Sequence, residues 1–280
     1  MMQKKYNSLS LTTLYLRMIP YGTDTTMSTG TGFVYEFDSK YYLITNGHNI
    51  TRVNPETNER ITGLKTAAFP VKIGTKVKIQ KDNFYHITKD LTYIDLYEDL
   101  DFKVPKWYVH PKHRYKVDVV AIPIDDTKNV PESVKLFPIN KIEFDLEFEI
   151  EIADEVFILG YPFDLTGGKD LPIWKRGSIS TEPMIDIDDL PKLLVDTATR
   201  SGMSGSPVIM FRRGFHSIHE GNKLEGDEIF GMIKRFVGVY SGRIGTEDNF
   251  MAQLGIVWKD HVIEEILVGQ MVGDIDFQNK

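Results

Sequence analysis

The sequence of 280 residues contains no cysteine. That absence removes disulfides, thiolate metal sites and a cysteine nucleophile together, and it fits a reducing compartment. No run of about 18 consecutive apolar residues occurs, so no membrane-spanning helix is expected. Cations are also in short supply, with 33 Lys and Arg against 40 Asp and Glu and a net charge of −7. Nucleic-acid binding needs clustered positive charge, and the pair Arg212-Arg213 is too small a patch to supply it, so the expected partner is a peptide or protein. An export signal of the usual kind is not expected either. Lys4 and Lys5 imitate its basic region, but Ser8, Ser10, Thr12, Thr13 and Arg17 break the stretch that follows, which points to a cytoplasmic protein.

What the sequence does have is 11% aromatic residues, many β-branched ones and turn residues spaced between short apolar runs. This pattern predicts an all-β chain. Strands are expected at 14–19, 30–37 and 40–45, the last two forming a hairpin closed at Asp38-Ser39, and again at 71–79 and 117–124. Periodicity is lost between Gln80 and Tyr108, where Asp95, Glu98, Asp99 and Asp101 read as a solvated excursion, since their spacing matches no compact calcium loop. Residues 125–140, with Pro131 and Pro138, read as a connector between a first lobe (1–128) and a second (129–280). In the second lobe, strands are expected at 143–152, 156–160, 173–180, 193–197, 207–211, 236–242 and 251–258. A short closing helix over 260–268 has Asp260 as its N-cap.

Three local features bear on chemistry. Ser201-Gly202-Met203-Ser204-Gly205-Ser206-Pro207-Val208 places Ser204 on a glycine-flanked turn, which exposes a hydroxyl and lets backbone N–H groups converge where an oxyanion would form. His48 lies on the turn that leaves the strand 40–45. Asp118 sits at the mouth of an apolar strand, where a buried carboxylate needs a donor, and His48 is a candidate. Each feature taken alone has an ordinary structural explanation. Other motifs are weaker: Gly167-Gly168-Lys169 lacks phosphate-loop spacing, and His216 and His219 lack the HExxH spacing of a zinc helix. No metal and no cofactor is expected.

The chain order His48, Asp118, Ser204 resembles that of the trypsin-like (chymotrypsin-fold) serine proteases and differs from the subtilisin and α/β-hydrolase orders. Gly30-Thr31-Gly32-Phe33-Val34 and Leu43-Ile44-Thr45-Asn46-Gly47-His48 are similar to that family's strand and turn around its histidine. Asp118 to Ile124 is similar to its strand after the aspartate. Gly160-Tyr161-Pro162 and Gly202 to Val208 resemble motifs of its bacterial branches, including the glutamyl-endopeptidase and HtrA-like groups. The resemblance implies two six-stranded antiparallel β-barrels with the site in the cleft between them. It also implies an endopeptidase in which Asp118 orients His48, His48 takes the proton of Ser204, and Ser204 forms an acyl-enzyme. The N–H groups of Gly202 and Ser204 would then make the oxyanion hole.

Two departures from the family pattern carry expectations. Met203 stands where digestive members have an acid that pairs with a new N-terminus, so activation by N-terminal trimming is not expected. Ala198, six residues before the serine, is not an acid, so selectivity for Lys or Arg is not expected. The matching pocket walls are Tyr240-Ser241-Gly242-Arg243 and Leu254-Gly255. Arg243 either attracts an acidic side chain or folds out to solvent, and a one-residue gap would bring Asp196 or Arg200 in instead. Two other classes stay open: a protease-like binding module with a blocked cleft, and a module of a bacterial stress or defence system triggered by an activating protein partner.

Overall fold

The computed structural model describes residues 6–61, 69–81, 84–87, 91–124, 135–198, 200–216, 229–243 and 254–279. Two β lobes carry almost all the regular structure. After a short helix α1 (Ser8–Thr12), the first lobe comprises β1 (Thr13–Pro20), β2 (Ser28–Phe37), β3 (Lys40–Thr45) and a single helical turn α2 (Gly47–Thr51). It continues with β4 (Pro70–Thr75), β5 (Lys78–Lys81), β6 (Phe84–Ile87), β7 (Thr92–Asp95), β8 (Tyr108–Val109), β9 (Val120–Pro123) and β10 (Lys135–Leu136). The second comprises β11 (Glu155–Gly160), β12 (Ile173–Ile179), β13 (Lys192–Asp196), β14 (Pro207–His216), β15 (Ile229–Arg243) and β16 (Leu254–Lys259). Helix α3 (His261–Gly269) and β17 (Met271–Val272) follow.

The second lobe is the closed six-stranded antiparallel barrel that the resemblance implies, in the order β11-β12-β13-β16-β15-β14. The first lobe differs from the six-stranded barrel expected. Its described strands pair as an eight-stranded sheet, β17-β8-β9-β3-β2-β1-β4-β7, with a separate three-stranded sheet β10-β5-β6. The chain crosses between lobes near both ends of the second one: β10 pairs with β5, and after α3 the chain returns so that β17 pairs with β8. Phe277 then buries itself in the first-lobe core beside Trp107.

Local chemistry accounts for most elements. Asp38 and Ser39 both take left-handed backbone (φ 48° and 63°), the conformation a tight two-residue hairpin requires, and they close β2 onto β3. Asp260 caps α3 by accepting from the His261 N–H at 2.9 Å, and Val262, Ile263, Ile266 and Leu267 form its buried stripe. That stripe joins Phe33, Tyr35 and Ile44 of the first lobe and Leu159, Ile209, Phe236 and Trp258 of the second in one apolar cluster. Phe33 and Phe236 meet edge to face, centroids 5.7 Å apart, so the two lobes share a core and the cleft between them has fixed walls.

Three expectations need correction. The strand expected over 71–79 breaks at Lys76-Val77 into β4 and β5, which join different sheets. The segment 143–152 alternates as a strand would but is irregular. Phe148 packs into the barrel while the backbone bonds go to barrel residues singly, Asp145 N–H to Lys234 O and the Arg235 guanidinium to Phe148 O. The excursion 80–108 is not structureless, since it holds β6, β7 and the start of β8, and Asp99 caps a turn by accepting from the N–H groups of Lys103 and Val104. Most of the connector (125–134) and His219 lie outside the described residues, and His216 ends β14.

Candidate active site

Strand β3 delivers His48. Asn46 stays extended (φ −79°, ψ 147°), and the chain then winds into α2 with His48 as its second residue, a helical turn where a loop turn was expected. A Cβ on Gly47 would stand 3.2 Å from Asp118 Oδ1, so glycine there lets the His48 backbone close on the carboxylate. Asp118 comes from the residues just before β9. Asn46 Nδ2 donates to its backbone carbonyl at 2.6 Å, and its side chain is 2% exposed.

The buried Asp118 carboxylate is satisfied by three donors. Oδ1 accepts from the His48 backbone N–H at 2.8 Å, and Oδ2 accepts from His48 Nδ1 at 2.6 Å and from the Ser241 hydroxyl at 2.5 Å. A carboxylate accepts only, so Nδ1 carries the proton in this contact and neutral His48 keeps Nε2 as an acceptor. The two bonds from one residue fix both the position and the rotation of the imidazole.

Ser204 lies on the turn between β13 and β14. Gly202 and Gly205 hold it open with φ of +89° and +88°, and a side chain at either would strike a backbone carbonyl, that of Tyr161 or of Thr31. The turn's carbonyls are engaged from both lobes. Ser201 O accepts from Phe163 N–H (2.9 Å), Gly202 O from the Thr31 hydroxyl (2.7 Å), and Ser204 O from Thr31 N–H (2.9 Å) and Asn49 Nδ2 (3.2 Å). Phe163 reaches Ser201 because it takes left-handed backbone, φ 51° and ψ 36°. Among the described residues the N–H groups of Gly202 and Ser204 have no partner, whereas Met203 N–H bonds Arg200 O at 3.4 Å. Two unpartnered donors flanking a serine are the arrangement an oxyanion requires.

His48, Asn49, Ser201, Gly202 and Ser204 line one cavity of about 370 Å³. A second, of about 440 Å³, opens on the other side of His48 and Asp118 and is walled by Tyr115 and Phe277. None of the residues lining these two cavities comes from the described part of 80–108, so that part does not cover this side of the cleft. No hydrogen bond joins Ser204 Oγ to His48 here. Such contacts are commonly long until substrate is bound.

The expected pocket residues lie around the barrel mouth. Gly255 on β16 pairs with Val195 of β13 on one side and Arg243 of β15 on the other, and Ala198 follows β13, half-buried. A side chain at Gly255 would collide with the Tyr240 ring, and a Cβ at Gly242 would stand 3.9 Å from Ser204 Oγ. The Ser241 hydroxyl turns to Asp118. The Arg243 side chain lies outside the described residues. Thr31, Asn49 and Phe163 were not among the expected site residues. A signal existed for the first two: Gly30 and Gly32 flank Thr31, and a Cβ at Gly30 would meet the Asn49 side chain at 2.8 Å, so the glycine leaves room for Asn49 to reach the turn.

A histidine oriented by a buried carboxylate and a serine on a turn with open N–H donors, in two β lobes, define a class of acyl-transfer hydrolase. Residues 30–214 match the family model of the trypsin-like peptidase domain, a span that includes His48, Asp118 and Ser204, and the chain belongs to this family of serine proteases. No curated protein matches the sequence. Among solved structures, a serine endoprotease from Yersinia pestis is similar with a TM-score of 0.49 and 14% identity, over 96% of this chain and 67% of that one. Among the described residues no helix is long and apolar enough to cross a membrane.

Proposed function

We propose that the protein is an endopeptidase that cleaves peptide bonds through an acyl-enzyme on Ser204. His48 Nε2 takes the Ser204 proton as the hydroxyl attacks the scissile carbonyl and returns it to the leaving amine. Asp118 keeps the imidazole in the required tautomer and stabilises the imidazolium, and the N–H groups of Gly202 and Ser204 hold the oxyanion. The observation that carries this reading is the His48 Nδ1 to Asp118 Oδ2 bond of 2.6 Å, with Ser204 lining the same cavity as His48. The experiment is covalent labelling with a fluorophosphonate probe. Wild type is labelled and Ser204→Ala is not, with the thermal unfolding midpoint preserved. Equal labelling of both proteins would overturn the assignment.

Two finer points belong to the same proposal. Met203 is 1% exposed and packs in the barrel core, against the position where a Cβ on Gly160 would lie. An apolar side chain there has no use for an N-terminal ammonium, so the uncleaved chain is expected to hydrolyse peptides. Activity that appears only after N-terminal trimming would contradict this. The half-buried Ala198 offers no charge to a basic side chain, so cleavage is not selective for Lys or Arg, and the cysteine-free composition suits a cytoplasmic setting.

A further inference from the structure

Acidic residues outnumber basic ones in this chain, yet one guanidinium beside Ser204 has no carboxylate partner among the described residues. Arg52 is the residue that ends α2, four positions after His48. It takes left-handed backbone (φ 58°, ψ 27°), and its N–H returns to His48 O. The turn segment that follows folds back onto it: Ile61 N–H donates to Arg52 O at 2.9 Å, and an Arg52 guanidinium nitrogen donates to Ile61 O at 3.1 Å. The side chain is thus tied at both ends to the same turn, with one of its five N–H donors engaged among the described residues.

The charges around Arg52 leave it in want of an anion. Burial, and then the like charge of Arg60, push its pKa down. Arg60 itself donates to Gln278 O. Glu56 and Glu59 lie on the same turn, but among the described residues no ion pair reaches Arg52 or Arg60, and residues 62–68 contain no acid. Half-buried guanidinium groups prefer planar carboxylate partners.

Its position relative to the reacting bond is also set. The cavity of about 370 Å³ that Arg52 lines is shared with His48, Ser201, Gly202 and Ser204, and its remaining walls include Met27, Thr29 and Ile61. Ser241, Gly242 and Gly255, which belong to the side expected to receive the residue before the scissile bond, are not part of it. A peptide crossing Ser204 therefore lays its leaving-group portion in this cavity.

Resting on the peptidase reading above, we infer that this cavity is a subsite for an acidic side chain at the first or second residue after the scissile bond, and that Arg52 selects it. A lysine or arginine there would meet the like charge of Arg52, while the one carboxylate besides that of Asp118 bonded to a wall residue among the described residues, that of Asp164, is taken up by the Thr29 hydroxyl at 2.5 Å.

The test is digestion of a proteome-derived peptide library, with cut sites read by mass spectrometry. Wild type is expected to favour Asp or Glu over Asn or Gln at one of those two positions by about fivefold, the selectivity that corresponds to about 1 kcal/mol from a half-exposed ion pair. Arg52→Gln brings that ratio to about one, Arg52→Lys retains part of it, and Arg52→Glu inverts it toward basic residues. Each ratio is internal to one enzyme, so a variant that folds less well still reports it. A wild-type ratio of one, or a ratio unchanged in Arg52→Glu, overturns the inference while the peptidase reading stands. No cleavage of any peptide together with no fluorophosphonate labelling at Ser204 overturns both.

Discussion

The Ser241 hydroxyl donates to Asp118 Oδ2 at 2.5 Å, a bond that crosses from the second lobe to the first over 123 residues of sequence. Asp118 therefore gathers donors from both lobes, and the orientation of His48 depends on how the lobes are docked. Ser241→Ala is expected to lower kcat by about tenfold with KM little changed. Hydrogen bonds to charged groups contribute roughly 1.5–3 kcal/mol, and Asp118 keeps both bonds from His48, so the loss falls at the lower end of that range. Steady-state kinetics on one peptide substrate decides it, and a kcat within twofold of wild type would refute the role.

Asp118→Asn keeps the size of the side chain but replaces one acceptor oxygen with a donor. Facing an amide NH₂, His48 would be driven to put its proton on Nε2, the wrong nitrogen for accepting from Ser204. A fall in kcat of about four orders of magnitude is expected, as for the same change in a triad of this kind. The double variant with Ser204→Ala should be no slower than Ser204→Ala alone, because groups that act as a unit are not additive. Independent, multiplying losses would show that Asp118 acts elsewhere.

The parts of this site that were legible in the sequence are those made by local pattern. The glycine-flanked turn of Ser204, the hairpin that leads to His48 and the apolar strand after Asp118 each announce themselves within ten residues, and so does α3 with its Asp260 cap. What was not legible is made by contacts between distant segments. Nothing near Ser241 indicates that its hydroxyl serves Asp118, and nothing near Met271 indicates that β17 crosses back to β8. The alternation over 143–152 misled for a related reason. It records which side chains face the barrel, as Phe148 and Ile150 do, but a strand also needs a neighbouring edge to bond, and this segment bonds barrel residues only one at a time.

The turn around Ser204 makes a separate prediction through Thr31. Its hydroxyl bonds Gly202 O and its N–H bonds Ser204 O, so one first-lobe residue holds the carbonyl side of the turn while the N–H side stays open. Thr31→Val preserves the shape and removes only the hydroxyl, leaving Gly202 O without its donor. A kcat loss of about tenfold is expected, with KM moving less, and Thr31→Ser should recover most of it. Gly202→Ala is more severe, because φ is +89° and the new methyl would strike Tyr161 O. Displacing an oxyanion donor costs about 10²–10³ in kcat, and a strained left-handed residue costs about 1–3 kcal/mol of stability. A rise in KM with kcat intact for Thr31→Val would mean that it supports substrate binding, not the oxyanion.

Lys78 gives the chain a pH-dependent stability that is independent of catalysis. The residue is 2% exposed, and its terminal nitrogen crosses between lobes, donating to Thr13 O and, at 2.9 Å, to the Tyr161 hydroxyl. The acid near it, Asp170, is engaged by Lys76 at 3.1 Å. Burial pushes the Lys78 pKa down to about 7, against the opposing pull of Asp170, and it pushes the neighbouring Tyr161 hydroxyl up. An unfolded lysine titrates near pH 10.4, so between about pH 7 and pH 10 the unfolded chain holds a proton that the folded chain does not. The contribution of Lys78 to stability is therefore lowest below pH 7 and rises with pH across that window. Lys78→Met removes the buried ammonium and the slope with it, while Tyr161 keeps its bonds to Thr13 O and Asp170 O. Replacing a buried charge with an apolar side chain of similar length is often neutral or stabilising, so at pH 6.5 the variant should be at least as stable as wild type. By pH 9.5 wild type should have gained on it. Tyr161 titrates in both proteins and cancels from the difference. Denaturant unfolding of the two at both pH values measures it, and a difference that does not change with pH would show that Lys78 keeps an ordinary pKa in its buried place.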